Sequence, residues 1–168
     1  MDQLPIDVGP VEPSRTLELR QRVLRPHQSL EEMSLPGAGH PDAGIIGATD
    51  RETGEVVGTA SVTPEAPPDG LARVLPGGAR WRLRSMATSE PLRGAGVGSA
   101  VLAAALGHVA DRGGGVVWCN ARVPARAFYE RAGFVAFGET WLEPDIGPHV
   151  MMWRVVERPP TDEKESAL

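Results

Sequence analysis

The feature that most constrains this chain is a glycine-rich turn set between two different periodicities. Trp81-Arg82-Leu83-Arg84-Ser85-Met86 alternates apolar and polar side chains with period two, as a half-buried strand does. From Gly96 to Arg112 the pattern turns helical. Val97, Val101, Ala104 and His108 fall on one side, Leu102, Leu106 and Val109 near another, with alanines between them. Arg93-Gly94-Ala95-Gly96-Val97-Gly98-Ser99 joins the two. Missing side chains permit a tight turn and close ligand approach, and the free N–H groups and dipole of a helix start favour an anion such as a phosphate. Arg93 offers a second positive contact. The same glycines would also serve a purely structural turn that lets a helix pack closely on a sheet, and both readings stand on the residues alone.

Two familiar phosphate sites are excluded. A nucleotide P-loop needs a lysine in the turn, and the only lysine in the chain is Lys164. A dinucleotide fingerprint needs a third glycine at position 99, where there is serine, and the next strand ends without a clear acidic partner for a ribose.

The rest of the chain alternates strand and helix signals. LPIDV suits a short first strand, and residues 14–25 suit a helix with Leu17, Arg20 and Leu24 near one face and Val23 beside it. Residues 27–42, broken by Pro36, Gly37, Gly39 and Pro41, read as a long connection able to line a substrate site. Runs at 45–50 and 56–62 signal a hairpin, and LARVL suits one helical turn. A buried strand at 116–119, a short helix from Pro124 to Ala132, and strands at 134–138 and 150–156 follow, with WLEPDIGPH as a turn or loop. The predicted class is mixed α/β, a twisted sheet flanked by helices, in a single domain over residues 1–156. Residues 157–168 read as an acidic mobile tail.

Composition narrows the function classes. A net charge of −5 argues against nucleic acid as the main partner. No apolar run approaches a membrane span and no secretory leader is legible, so a cytoplasmic protein is expected. One cysteine, Cys119, excludes an internal disulfide and a cysteine-rich metal site, and His27, His40, His108 and His149 form no short metal motif.

Met86-Ala87-Thr88 followed by Arg93-Gly94-Ala95-Gly96-Val97-Gly98 resembles the acyl-CoA motif of the GCN5-related N-acetyltransferase (GNAT) family, [RQ]-x-x-G-x-[GA], which Arg93, Gly96 and Gly98 meet. A second block, Asn120 and then Ala125-Arg126-Ala127-Phe128-Tyr129-Glu130-Arg131-Ala132-Gly133-Phe134, resembles the family's asparagine, short helix, tyrosine and terminal Gly-Phe. The resemblance implies a GNAT acyl-CoA N-acyltransferase fold with a mostly antiparallel sheet. It also implies a splayed opening between the strands at 80–88 and 115–120. Backbone N–H groups from Arg93 to Ser99 would surround the pyrophosphate of acetyl-CoA. Met86, Ala87 and Thr88 would lie along its pantetheine arm, with Asn120 available to bond that arm or to organise its strand end.

The implied reaction transfers an acetyl group to a primary amine of a small molecule or peptide. Tyr129 is the general-acid candidate by resemblance, with packing as its alternative role. Many relatives carry a carboxylate on the strand occupied here by WRLRSM, where this chain has arginines. His149 is therefore the base candidate, because an imidazole can accept a proton near neutral pH. Glu139, His40, Glu31 and Glu32 are weaker choices. Phe128 and Phe134 read as core residues, and Arg122, Arg126 and Arg131 as surface residues able to approach nucleotide phosphates. A homodimer through a strand edge near the C-terminus is geometrically allowed. A noncatalytic acyl-CoA-binding or interaction domain is the alternative function.

Overall fold

The computed structural model describes residues 4–160, so residues 161–168 of the expected tail lie outside the described residues. Its strands form where β-branched residues recur at alternate positions, and its helices where alanine and leucine replace them. In chain order these are β1 (Ile6–Pro10), α1 (Leu17–Leu24), β2 (Gly44–Asp50), β3 (Val56–Pro64), α2 (Asp69–Ala72), β4 (Arg80–Thr88), α3 (Val97–Asp111), β5 (Gly115–Arg122), α4 (Arg126–Arg131), β6 (Val135–Glu143) and β7 (Gly147–Val156). The seven strands make one sheet in the order β1-β2-β3-β4-β5-β7-β6. Every neighbouring pair is antiparallel except β4 and β5. The α/β class and mostly antiparallel flanked sheet expected from sequence are what the chain adopts.

Strand alternation gives the sheet two unlike faces. Ala60 and Val62 of β3, Trp81 and Leu83 of β4, and Val117, Cys119 and Ala121 of β5 share a buried cluster with Val97, Val101, Leu102, Ala105 and Val109 of α3. Each fully buried valine or leucine of this cluster contributes about 1.5–3 kcal/mol. The alternate residues, Thr59, Ser61, Thr63, Arg82, Arg84, Trp118, Asn120 and Arg122, therefore point the other way. That polar face is crossed by α1, which packs on β3 and β4.

Helix α1 starts three residues later than expected, behind a 3-10 turn over Pro13–Thr16. Its buried residues are Leu19 and Arg20 rather than Leu17 and Leu24. Arg20 is buried because its head is satisfied, by Thr16 Oγ1 at 2.9 Å and the Ser34 carbonyl at 3.1 Å. The WLEPDIGPH loop is also shorter than expected. Trp141, Leu142 and Glu143 pair with His149, Pro148 and Gly147, so only residues 144–146 turn between β6 and β7. An irregularity after Phe137, with Gly138 at φ +76°, lets the strand resume after an apparent break.

The parallel pairing that holds β4 to β5 is short. It covers Arg80↔Val116, Trp81↔Val117 and Arg82↔Trp118 and stops there. On its other edge β4 pairs with β3, but Thr59↔Ala87 is followed by Ser61↔Arg84, so β4 carries one extra residue. Ser85 has φ +60° at that bulge. A bulge bends its strand, and this one lies within the stretch of β4 that has already left β5, whose pairing ends at Arg82, so the opening that the resemblance implied runs from Leu83 onward.

Candidate active site

The opening is a cleft of about 720 Å³ that passes between β4 and β5 from one face of the sheet to the other. Of the residues singled out in sequence, Met86, Ala87, Thr88, Arg93, Gly94, Gly96, Gly98, Ser99, Asn120, Tyr129 and His149 all line it. Ala95 and Val97 do not. Ala95 is exposed on the outside of the turn, and the Val97 side chain is buried in the core at 1% exposure.

The glycines of the turn differ in what they permit. Gly96 caps α3 at φ +89°, a left-handed conformation that other residues adopt only with strain. At Gly98 space is the issue, since a Cβ would come within 3.3 Å of Thr88 Oγ1 and 3.6 Å of the Phe128 ring. Not every amide between Arg93 and Ser99 is free, contrary to expectation. Arg93 N–H donates to the Glu90 carbonyl and Ala95 N–H to the Leu92 carbonyl, each at 3.2 Å, because a 3-10 turn over Glu90–Leu92 leads into the loop. The amides at the start of α3 lie in the first turn, where no helical partner exists.

Tyr129 reaches the cleft from α4 on the α3 side. Its ring packs edge-on against Phe128 at 5.2 Å and Phe134 at 5.5 Å. Its hydroxyl has no hydrogen-bond partner among the described residues, although the side chain is only 6% exposed. Burial pushes this phenol well above its ordinary range, with the Cys119 sulfur adding to the shift. The group is therefore held protonated, as a donor. Phe134 is buried as expected, whereas Phe128 both packs on the core and lines the cleft.

His149 enters on the α1 side, 7% exposed, opposite Arg122 in the β5–β7 register. Nδ1 lies 2.8 Å from the Gly147 carbonyl. A carbonyl only accepts, so Nδ1 carries the proton and Nε2 is the acceptor of the neutral ring. Trp141 stacks on the imidazole at 5.8 Å. The other base candidates stand elsewhere: His40 Nδ1 accepts from the Asp42 amide, Glu32 closes a turn at Ser29, and Glu31 and Glu139 are exposed. The long connection at 27–42 lines none of the cleft, which takes Val23, Leu24 and Arg25 from the end of α1 instead.

Several residues escaped sequence reading. Cys119 lines the cleft, its thiol pushed up to about 12 by burial, partly opposed by Arg82. Glu65, in a Pro-rich stretch with no pattern, bonds Arg82 Nη1 and Arg84 Nη2, each at 2.8 Å. Burial alone would raise this carboxyl, but the two guanidiniums hold it below its ordinary range. The arginines of β4 thus do have a carboxylate, supplied from β3's end, and it is engaged. Arg126 pairs with Glu130 outside the cleft, while Arg122 and Arg131 line it.

A glycine turn feeding a helix start, beside the unpaired edge of β4 and facing Tyr129, is the arrangement that the resemblance to acyl-transfer enzymes implied. The family model described as the Acetyltransferase (GNAT) family matches residues 13–134. The chain belongs to this family, and it is an N-acetyltransferase. It is similar to the "Uncharacterized N-acetyltransferase YitI" of Bacillus subtilis (strain 168), at 31% identity over 151 residues, covering 90% of this chain and 97% of that protein. In fold it is similar to an aminoglycoside 6'-N-acetyltransferase complexed with coenzyme A, with a TM-score of 0.66 at 15% identity over 92% of this chain and 99% of the other. It is similar as well to the ribosomal-protein-S18-alanine N-acetyltransferase from Escherichia coli, with a TM-score of 0.61 at 15% identity over 94% and 97%. Among the described residues no helix is long and apolar enough to cross a membrane.

Proposed function

We propose that this chain transfers an acetyl group from acetyl-CoA to a primary amine of a small molecule or peptide. The observation that carries the reading is the cleft itself, in which the glycine turn, the free edge of β4, Tyr129 and His149 meet. These residues fit the cofactor. Gly94, Gly96 and Gly98 leave the loop backbone open to a pyrophosphate, and Arg93 adds positive charge at the same end. From Leu83 to Thr88, β4 has β3 on one side and no strand on the other, which suits pairing with an extended pantetheine arm. Asn120 lines the facing wall.

Acetyl-CoA supplies an acetyl group activated as a thioester. His149 Nε2 takes the proton that the amine must lose before its nitrogen can attack. Tyr129, kept protonated by burial, donates to the departing thiolate. We place the protein in the cytoplasm, with nucleic acid and membrane excluded as partners, and a second copy able to add at the β6 edge.

Calorimetric titration with acetyl-CoA, with ATP as the control, tests the cofactor half. Near-stoichiometric binding by wild type and its loss in a folded Gly96→Glu variant are expected, since the new carboxylate stands at the anion site. Normal acetyl-CoA affinity in that folded variant would overturn the loop assignment. A side chain at a left-handed position also costs about 1–2 kcal/mol, so folding is verified by thermal melting. Release of CoA on addition of amines tests transfer.

A further inference from the structure

The charged lining of the cleft has one sign. It consists of Arg25, Arg84, Arg93, Arg122 and Arg131, with no Asp or Glu side chain among the described residues that form the walls, in a chain of net charge −5. Two of the five belong to the cofactor end. Arg93 opens the glycine turn, and Arg131 borders Ser99 and Phe128 on the α3 side. The other three stand on the face crossed by α1.

Arg25 follows the last residue of α1 and donates Nη1 to the Leu24 carbonyl at 3.1 Å. Arg122 donates Nη2 to the same carbonyl at 2.8 Å. Neither has a carboxylate within 4.0 Å among the described residues. Arg84, on the same face, shares Glu65 with Arg82, so two guanidiniums draw on one carboxylate. Capping the end of α1 explains a single arginine on Leu24. A second one brings like charges together in a partly desolvated site, which is unfavourable until an anion joins them.

We propose that Arg25, Arg84 and Arg122 form an anion subsite on the acceptor side of the cleft, and that the acceptor is a primary amine bearing a carboxylate beside the reacting nitrogen, as in an α-amino acid. The proposal rests on the acetyl-transfer reading of the same cleft. A guanidinium fork grips a carboxylate in a fixed orientation. The subsite would hold the neighbouring amino group near His149, which lies opposite Arg122 in register. His149 removes one proton from the ammonium, and the freed nitrogen forms the C–N bond to the acetyl carbonyl carbon. The C–S bond breaks as Tyr129 gives its proton to sulfur. The second proton the nitrogen sheds in becoming an amide restores the Tyr129 hydroxyl, while the proton on His149 passes to solvent. Polycationic amines would meet like charge instead.

The test is CoA release at saturating acetyl-CoA with matched acceptors: α-amino acids, their amides, the decarboxylated amines, and spermidine. Wild type should favour the free carboxylate by about tenfold or more in kcat/KM, expressed in KM. Arg122→Gln and Arg84→Gln should each raise KM for the amino acid by about tenfold and shrink its advantage over the amide, with KM for acetyl-CoA within about twofold. Arg122→Lys, which keeps the charge without the fork, should recover part of the loss. If Arg122→Gln unfolds, Arg84→Gln carries the comparison.

Equal or better use of amides or spermidine overturns the acceptor class and leaves acetyl transfer standing. A rise in KM for acetyl-CoA with the acceptor preference intact assigns the arginines to the cofactor phosphates and overturns the subsite. Turnover of none of the panel with acetyl-CoA still bound calorimetrically also overturns the acceptor class. Loss of acetyl-CoA binding as well overturns the transfer reading beneath it.

Discussion

Tyr129 and Cys119 share a wall of the cleft, and burial acts on both in the same direction, favouring the neutral form. For Tyr129 the consequence is a donor that keeps its proton at every pH up to and beyond the ordinary tyrosine range near 10. Tyr129→Phe should leave acetyl-CoA affinity within about twofold and lower kcat by about 10²-fold, the scale of general acid catalysis. Single-turnover kinetics separates this from slow product release, and an unchanged chemical step would remove Tyr129 from the mechanism. For Cys119, a thiol at about 12 is thiolate in only about one molecule in 10⁴ at pH 8. Ellman's reagent should therefore fail to titrate the native protein and read one thiol after denaturation. Rapid native reaction would contradict the burial. The tyrosine was legible from its place in the second motif block. The cysteine's position on the cleft wall was not, because a Val-Val-Trp-Cys run says "strand interior" and gives no sign that the neighbouring strand departs.

At the scale of elements, the decisive contrast is between the joined and separated ends of β4 and β5. The joined end depends on Gly115, whose φ is +146° and where a Cβ would lie 2.6 Å from the Ala79 carbonyl oxygen. Val116 N–H donates to that same carbonyl at 2.9 Å. Gly115→Ala should therefore cost about 2–3 kcal/mol and lower Tm by roughly 5–10 °C, measured by thermal melting. An unchanged Tm would mean that the strand start relaxes freely. The separated end carries the bulge at Ser85, and there the period-two pattern slips, with polar Ser85 and apolar Met86 standing in exchanged places; one polar residue in a strand is too common a signal to announce a bulge. Helix α3 was read almost residue for residue, since its apolar spacing and the Gly113-Gly114-Gly115 stop are local signals. Helix α1 begins three residues after its expected start, and of the face read from its spacing only Arg20 is buried, beside Leu19. Its orientation follows from Arg20 finding Thr16 and the Ser34 carbonyl, partners that tertiary packing supplies.

The whole molecule separates its charge. A chain of net −5 surrounds a cleft whose charged walls, among the described residues, are arginines alone, so a polyanionic ligand is attracted to one place on an otherwise acidic protein. Screening should weaken that attraction. The Kd for acetyl-CoA should rise by about tenfold between 50 and 500 mM NaCl, as the Debye length shortens from about 14 to 4 Å. A salt-independent Kd would show that backbone contacts, rather than this field, hold the cofactor. The arginines were visible in the sequence as residues, but their convergence was not. Arg25, Arg84 and Arg122 come from a helix end and two strands that meet only in the folded sheet. What the sequence determined by itself was the order of elements, the glycine turn and the family, because these are written in spacing along the chain. The family resemblance already implied a split between the strands at 80–88 and 115–120; the residue at which their pairing ends, which carboxylate answers the arginines of β4, and which charges face the cleft were decided by the tertiary structure alone. Each of these depends on the register of strands distant in sequence, and that register is set by packing rather than by any local run of residues.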